Sequence, residues 1–572
     1  MLAVDAAFVG GSGLANADLA DSEIPVDWRG GEPPPVASGS LPLLGHLLGF
    51  RRDPIAMMRR VRDDCGEIGE LRLAGQKIAM LYGSEAQEAF FRAPDEVLDQ
   101  GSAYPFMKPI FGEGVVFDAT PEQRKQAMKN QSLRDSFMRG HAELIAAETE
   151  RMVVGWADRG EVDVLDFFAE LTIYTSSACL IGREFRDELG PEYIPIFKDL
   201  ERGTDAFAYV NPYLPLPAFR RRDRARRDLV ALIEAIFERR KQSGKEYSDL
   251  FHVLHQLRDR SGRRRYTDDQ ITGMFISMMF AGHHTTSVVA SWTLLELLMH
   301  PQWMVRIDDE LAAMYADGRD VSYQALREIP LLECAIKEAL RLHPPLIILM
   351  RKAMCDFHYK GWTVPAGNLV AASPAVSNRD PEHFPNPDEY IPERYLDDRA
   401  EDKQSFAWIP FGAGRHRCVG AAFAMTQLKA IFSILLRHFE FELSQPKASY
   451  GNDLTKLVVA VRQPCRIQYR RREIPRVMNP AQAMADRAAD TPDQPLRVRV
   501  DRDLCQGHGV CVNEAPEVFA LDRAAMKVRV LEQSPPPSRR VAVESAVRYC
   551  PTHALSVRNA DMDGSGEGEG GE

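Results

Sequence analysis

Apolar residues run with little interruption from Ile271 to Met299. Thr267 and Gln270 stand at capping-box spacing just before this run, and His300-Pro301 closes it, so the pattern predicts a helix over residues 266–299. A helix apolar on nearly every face belongs inside a protein or across a membrane. Its centre, Gly282-His283-His284-Thr285-Thr286-Ser287, is polar, which a lone lipid-exposed span does not tolerate cheaply. The expectation is a central core helix crossing a cofactor pocket. A second helix is expected over residues 331–342, stopped by His343-Pro344-Pro345, followed by strand-like runs at 346–351 and 368–372. A third is expected over 419–436.

Punctuation along the chain suggests five segments. Residues 1–30, rich in Gly, Ala and Asp, read as a flexible N-terminal extension. Gly11-Ser12-Gly13 lacks the third glycine of a dinucleotide-binding turn, Asn16 standing there, and too few residues precede it for a strand. Pro33 to Pro35 and Leu41-Pro42-Leu43-Leu44-Gly45-His46 open a folded body expected over 31–470. Pro475, Pro480, Pro492 and Pro495 mark a linker over 471–495. A small compact unit is expected over 496–558, and the Gly, Glu and Asp-rich residues 559–572 read as a disordered acidic tail.

The formal net charge of −11 argues against a nucleic-acid partner, whose footprint would be basic. No basic stretch leads into an apolar core near Met1, and no apolar run long enough for a transmembrane anchor stands there, so a cytoplasmic, bacterial location is expected. Nine cysteines, an odd count, fit a reducing compartment and metal-ligand roles better than a disulfide framework.

The most specific motif is Phe411-Gly412-Ala413-Gly414-Arg415-His416-Arg417-Cys418-Val419-Gly420, of the form F-x-x-G-x-x-x-C-x-G. A cysteine thiolate ligating heme iron donates electron density that favours O–O cleavage. A helix starting at Cys418 would help to keep the sulfur anionic. Gly414 suits a tight turn, and Gly420 suits a close approach to a flat macrocycle. Glu338 and Arg341 share a helix face at i,i+3 spacing, and Arg394 follows in Pro392-Glu393-Arg394-Tyr395. Oxygen activation consumes protons, and the hydroxyl of Thr285 beside the titratable His284 can relay them through water. His283 reads as structure.

These three signatures, in this order, resemble the cytochrome P-450 family over about residues 30–470. The resemblance implies a mainly α fold with minor β-sheets, a heme b held by Cys418, and a structural role for Glu338, Arg341 and Arg394 in shaping the heme core. Where most of that family carries an acid, this chain has His284, which is similar to the sterol 14α-demethylase branch. The run from Tyr104 to Asp118, Leu165 to Tyr174 and Leu342 to Arg351 resemble the same branch. The resemblance implies that Tyr104, Lys125, Arg351 and His416 bind the heme propionates, a chemistry that suits cations and a phenol. It further implies that Phe106, Phe111, Phe280, Ala281 and Leu346 line a sterol pocket, and that the reaction removes a 14α-methyl group in three successive oxygenations using dioxygen.

Near the C-terminus stand Cys505-Gln506-Gly507-His508-Gly509-Val510-Cys511 and Cys550-Pro551. A four-iron cluster commonly takes C-x2-C-x2-C with a distant C-P, and here His508 replaces the middle cysteine. The pattern resembles single-cluster 3Fe-4S ferredoxins, small α+β domains, which implies that Cys505, Cys511 and Cys550 each hold one iron. His508 as ligand to a fourth iron, in a 4Fe-4S cluster, stays open. Zinc fits poorly, since C-x2-H-x2-C is cramped for a tetrahedral site. With no flavin or NADPH glycine motif, an external NAD(P)H-dependent ferredoxin reductase is expected to feed the chain. The alternative function is a fusion that oxidises another terpenoid or steroid. A heme sensor is a third reading, against which the Thr285–His284 pair argues.

Overall fold

The computed structural model describes residues 31–116, 135–190, 193–201, 211–473 and 496–559, apart from 246, 248, 259–260, 317, 397–398, 405, 419, 457, 501, 503–504, 506–509, 523–526 and 549–554. The chain divides into two compact units, and the division falls between Glu473 and Ile474. The sequence expectations for residues 1–30 and 560–572, and for the linker from 474 to 495, lie outside the described residues.

The larger unit is helical with small sheets. Thr267 caps the central helix as its spacing predicts: its side chain accepts from the Gln270 amide, and the Gln270 side chain accepts from the Thr267 amide. The helix is not continuous. Asp268–Met279 runs into a π-turn at Phe280–His284 before α-geometry resumes at Thr285–Met299. Every residue from Thr286 to Leu297 is buried, which accounts for the apolar pattern on all faces.

Its neighbour is Val164–Ser176, which ends in a second π-turn, Ser177–Ile181. Gly282 lets the two helices meet, because a Cβ there would lie 2.9 Å from the Ser176 hydroxyl. The helix Ala421–His438 joins them through Gln427, whose amide donates to Thr175 at 2.6 Å. Val164–Ile181 is also long and apolar enough to cross a membrane, yet 72% of that window is buried inside the fold.

The helix Pro330–Leu342 matches its expected range, and Glu310 accepts from the amides of Leu331 and Leu332 at 2.8 and 3.0 Å, capping its start. The two strand-like runs form Leu349–Ala353 and Leu369–Ala372, paired antiparallel within a five-stranded sheet. The strands of that sheet run, from one edge to the other, Ile68–Leu73, Gln76–Leu81, Leu369–Ala372, Leu349–Ala353, Leu98–Asp99. A three-stranded sheet sets Arg466–Arg471 between Arg159–Asp163 and Phe439–Leu443.

The smaller unit is α+β. Leu496–Val500 pairs antiparallel with Leu555–Asn559, and Phe519–Asp522 pairs with Lys527–Val530. The helices Val510–Glu514 and Arg540–Arg548 complete it. Val498, Val518, Phe519, Val528, Val543 and Leu555 form a separate core that also buries Cys505 and Cys511.

Candidate functional site

Cys418 sits where the loop 411–420 turns into the helix Ala421–His438. That helix begins two residues later than the sequence suggests, with Gly420 as its N-cap. Two left-handed glycines shape the loop, Gly412 at φ +65° and Gly414 at φ +60°. A Cβ on Gly414 would also strike the Phe91 carbonyl at 2.4 Å, so no other residue fits there. The Cys418 amide donates to the Phe411 carbonyl at 2.8 Å, which ties the backbone at the cysteine to the start of the loop. A Cβ on Gly420 would meet only that sulfur, at 3.8 Å, so the backbone leaves one side of it open. The helix start lowers the thiol pKa, as expected, but does not decide it in the polypeptide alone. Burial pushes the Cys418 pKa up, while the Gly420 amide and the Arg417 charge pull it back only in part. A bound metal cation would reverse that balance.

Tyr104, Arg351 and His416 converge on one hollow, walled by Phe90, Phe91, Gln100, Leu349, Met350 and Gly412. Arg351 is buried and donates through Nη1 to the carbonyls of Phe90 at 2.6 Å and Ala93 at 3.2 Å. The Tyr104 hydroxyl accepts from the Met350 amide at 2.9 Å, and burial raises its pKa. His416 pairs through Nε2 with Asp95 at 2.6 Å, a partner that nothing in the sequence signals. Lys125, the fourth expected partner, lies outside the described residues.

Of the predicted relay residues, His284 ends the π-turn and Thr285 opens the α-helix that follows. Ala281 is exposed and His284 and Thr285 are half-buried, although Gly282, His283 and Thr286 around them are buried. An exposed alanine in the middle of a core helix marks an internal hollow. The Thr285 hydroxyl donates to the Ala281 carbonyl at 2.9 Å, leaving its oxygen to accept. The His284 ring lies nearly parallel to Phe280 at 6.1 Å. His283 is buried, pairs with Thr172 at 3.0 Å and abuts Phe197, as expected of a structural residue.

The aromatic wall forms in part. Phe111 meets Phe280 edge-on at 5.8 Å, and Phe280 meets Phe197 at 5.2 Å. Phe106 is buried 5.7 Å from the Tyr104 ring. Leu346 packs against a different apolar cluster, with Phe90, Phe91 and Leu349, so it is not brought into the aromatic group.

Glu338 accepts from Arg341 at 2.8 Å through both carboxylate oxygens, from Arg394 Nε at 3.0 Å, from the Ile391 amide at 2.9 Å and from the Tyr395 hydroxyl at 2.8 Å. Glu338, Arg341 and Arg394 are fully buried. The spare guanidinium groups donate to the carbonyls of Asn378, Pro385, Asn386, Pro387 and Glu389. Burial pulls the Arg341 pKa down, but the hydrogen bonds and charge of Glu338 outweigh it and hold the cation. The set therefore staples the irregular chain 378–391, which precedes the cysteine loop, to the helix Pro330–Leu342.

A buried thiol at a helix start, and an arginine, a histidine and a tyrosine around one hollow, are side chains of the kinds that suit an iron macrocycle with carboxylate side arms. Residues 33–469 match the family described as Cytochrome P-450. The chain belongs to the cytochrome P-450 family. Among the relatives of this P-450 is a protein of Mycobacterium tuberculosis named sterol 14alpha-demethylase, 56% identical over 77% of this chain and 98% of its own. A sterol 14-demethylase of Arabidopsis thaliana is 38% identical over 77% and 92%, and a lanosterol 14-alpha demethylase of Bos taurus is 33% identical over 77% and 89%. Among solved structures, the retinoic acid-bound cyanobacterial CYP120A1 shares the fold, with a TM-score of 0.66 and 24% identity over 78% of this chain and all of that one.

Behind the P-450 unit, residues 498–557 match a 4Fe-4S single cluster domain, so the chain carries an iron–sulfur domain. Cys505 and Cys511 are both buried in its core, Cys511 in the first turn of Val510–Glu514. The Val528 amide donates to Cys505 Sγ at 3.3 Å, a bond no sequence pattern reveals. His508 and Cys550 lie outside the described residues.

Proposed function

We propose that this P-450 removes the 14α-methyl group of lanosterol-type sterols by three successive oxygenations, with electrons delivered by its own iron–sulfur domain. The observation that carries the reading is 56% identity to a mycobacterial sterol 14alpha-demethylase along 98% of that protein.

Cys418 would hold the heme iron, and Arg351, His416 and Tyr104, with Lys125, would bind the propionates. Heme, when bound, supplies the oxygen activation and insertion chemistry. Phe106, Phe111, Phe280 and Ala281 would hold the rigid ring system so that its methyl group faces the heme, with Leu346 contributing from the separate cluster of Phe90, Phe91 and Leu349. Thr285 and His284 would pass protons from water to the site where dioxygen is reduced. Glu338, Arg341 and Arg394 would keep the heme core in shape.

In the smaller unit, Cys505, Cys511 and Cys550 would hold a 3Fe-4S cluster. The match to 4Fe-4S single cluster domains favours a second reading, with His508 completing a four-iron cluster. Iron counting and low-temperature EPR of the oxidised protein separate the two, since an oxidised three-iron cluster is paramagnetic and an oxidised low-potential four-iron cluster is silent. An external NAD(P)H-dependent ferredoxin reductase would supply the cluster.

The deciding assay combines the chain, lanosterol, NADPH and a generic ferredoxin reductase, with no added ferredoxin. Mass spectrometry is expected to find the 14-demethylated diene and formate. A sterol-induced spin shift without product would overturn the electron path, and neither shift nor product would move the substrate to another terpenoid.

A further inference from the structure

One guanidinium joins three elements beside the aromatic wall. Arg226, on the helix Pro217–Ser243, donates through Nη1 and Nη2 to the two carboxylate oxygens of Asp269 at 2.6 and 3.0 Å. Its Nε donates to the Ile110 carbonyl at 3.1 Å, and Nη2 reaches the Phe111 carbonyl at 3.4 Å. Asp269 lies in the first turn of the central helix, and Ile110 and Phe111 end the helix Lys108–Phe111.

The backbone around Phe111 is gripped from both sides. Gly112, at φ +95°, lets Arg226 close in, since a Cβ there would lie 2.3 Å from Nη2. Across from it, a Cβ on Gly273 would lie 2.0 Å from the Phe111 carbonyl oxygen. With its carbonyl held in this way, Phe111 turns its ring onto Phe280. The Arg226 side chain is 15% exposed and that of Asp269 is 48% exposed, so the pair borders on water. An ion pair in that position fixes a geometry but is made and broken readily, and salt weakens it.

We propose that the Arg226–Asp269 pair is a latch on the aromatic wall, setting how fast bulky apolar ligands enter and leave the heme pocket. Arg226 is thus a positioning residue that acts through Phe111. The proposal rests on the heme-pocket reading and not on the choice of sterol. Lysine replaces it only in part, because a point charge can pair with the carboxylate but does not serve a carboxylate and two carbonyls together.

The test is stopped-flow spectroscopy of the full-length holoprotein with two heme-ligating probes, N-dodecylimidazole and imidazole. In Arg226→Gln and Asp269→Asn, the dissociation rate of N-dodecylimidazole is expected to rise about tenfold, with a smaller rise in Arg226→Lys. In the unaltered protein that rate is expected to increase with salt, and imidazole is expected to leave at the same rate from every variant. Unchanged N-dodecylimidazole rates overturn the latch, and so does equal acceleration of imidazole, which marks general loosening. Should Arg226→Gln fail to fold, Asp269→Asn decides alone, because it keeps the guanidinium-to-carbonyl bonds. A missing spin shift with lanosterol would count against the sterol reading and leave this result standing.

Discussion

Thr285 donates to the Ala281 carbonyl at 2.9 Å and keeps its oxygen able to accept, so under the proposed relay its loss would remove a proton path. Thr285→Ala is expected to keep the sterol-induced spin shift while product per NADPH falls severalfold, measured by parallel cofactor and product assays. Tight coupling in that variant would remove Thr285 from the relay. Glu338 poses a different problem, because two fully buried guanidinium groups depend on it. Glu338→Gln keeps the shape but strips the charge, and is expected to cost about 3–5 kcal/mol of stability with loss of heme, read by thermal unfolding and the Soret band. At this scale the sequence was legible where spacing carries meaning, as for Glu338 and Arg341, whose i,i+3 spacing becomes a buried ion pair. It was silent where partners come from afar. Asp95 is remote in the chain from His416, and in the run Arg220-Arg221-Arg222-Asp223-Arg224-Ala225-Arg226-Arg227 nothing in residue type marks Arg222 and Arg226 as the arginines that turn inward.

Elements were legible in proportion to their periodicity. The capping box at Thr267 and the stop at His300 bound the central helix as expected, but its π-turn left no trace, because an i→i+5 turn uses the same residues as an α-turn. The end of that helix holds a second unforeseen feature. Glu296 sits between His343 at 2.8 Å and His300 at 3.3 Å, and the His343 ring stacks on Trp292 at 3.6 Å. Burial acts to raise the Glu296 pKa, yet the hydrogen bonds from His300 and His343 win and hold it at about 2. The same bond raises the His300 pKa, against burial and the nearby Lys447 charge. The stabilisation from His300 is full below its unfolded pKa of about 6.5 and is lost as pH climbs through the raised folded value. That from Glu296 is present above about 4.3 and is lost as pH falls toward its folded value. Between about pH 6 and pH 8 the melting temperature is therefore expected to decline, and His300→Gln is expected to flatten the decline in a scanning-calorimetry pH series.

For the whole molecule, the fold class was legible because two dense motif sets lie far apart, one around Cys418 and one around Cys505 and Cys511. A flexible linker of about 25 residues, the expectation for 471–495, would reach roughly 25–30 Å and give a local concentration of order mM. Turnover per chain is therefore expected to stay constant on dilution under saturating reductase, where a separate ferredoxin would fall away, a contrast a dilution series reads directly. One polypeptide holding both units also fixes their ratio at synthesis. Raising or lowering expression changes oxidase and electron carrier together, so a mutation that weakens transcription lowers the amount of working enzyme without ever unbalancing it. Under the proposed electron path, an external reductase would be the component left to vary independently, and a cell carrying this chain would tune its rate there.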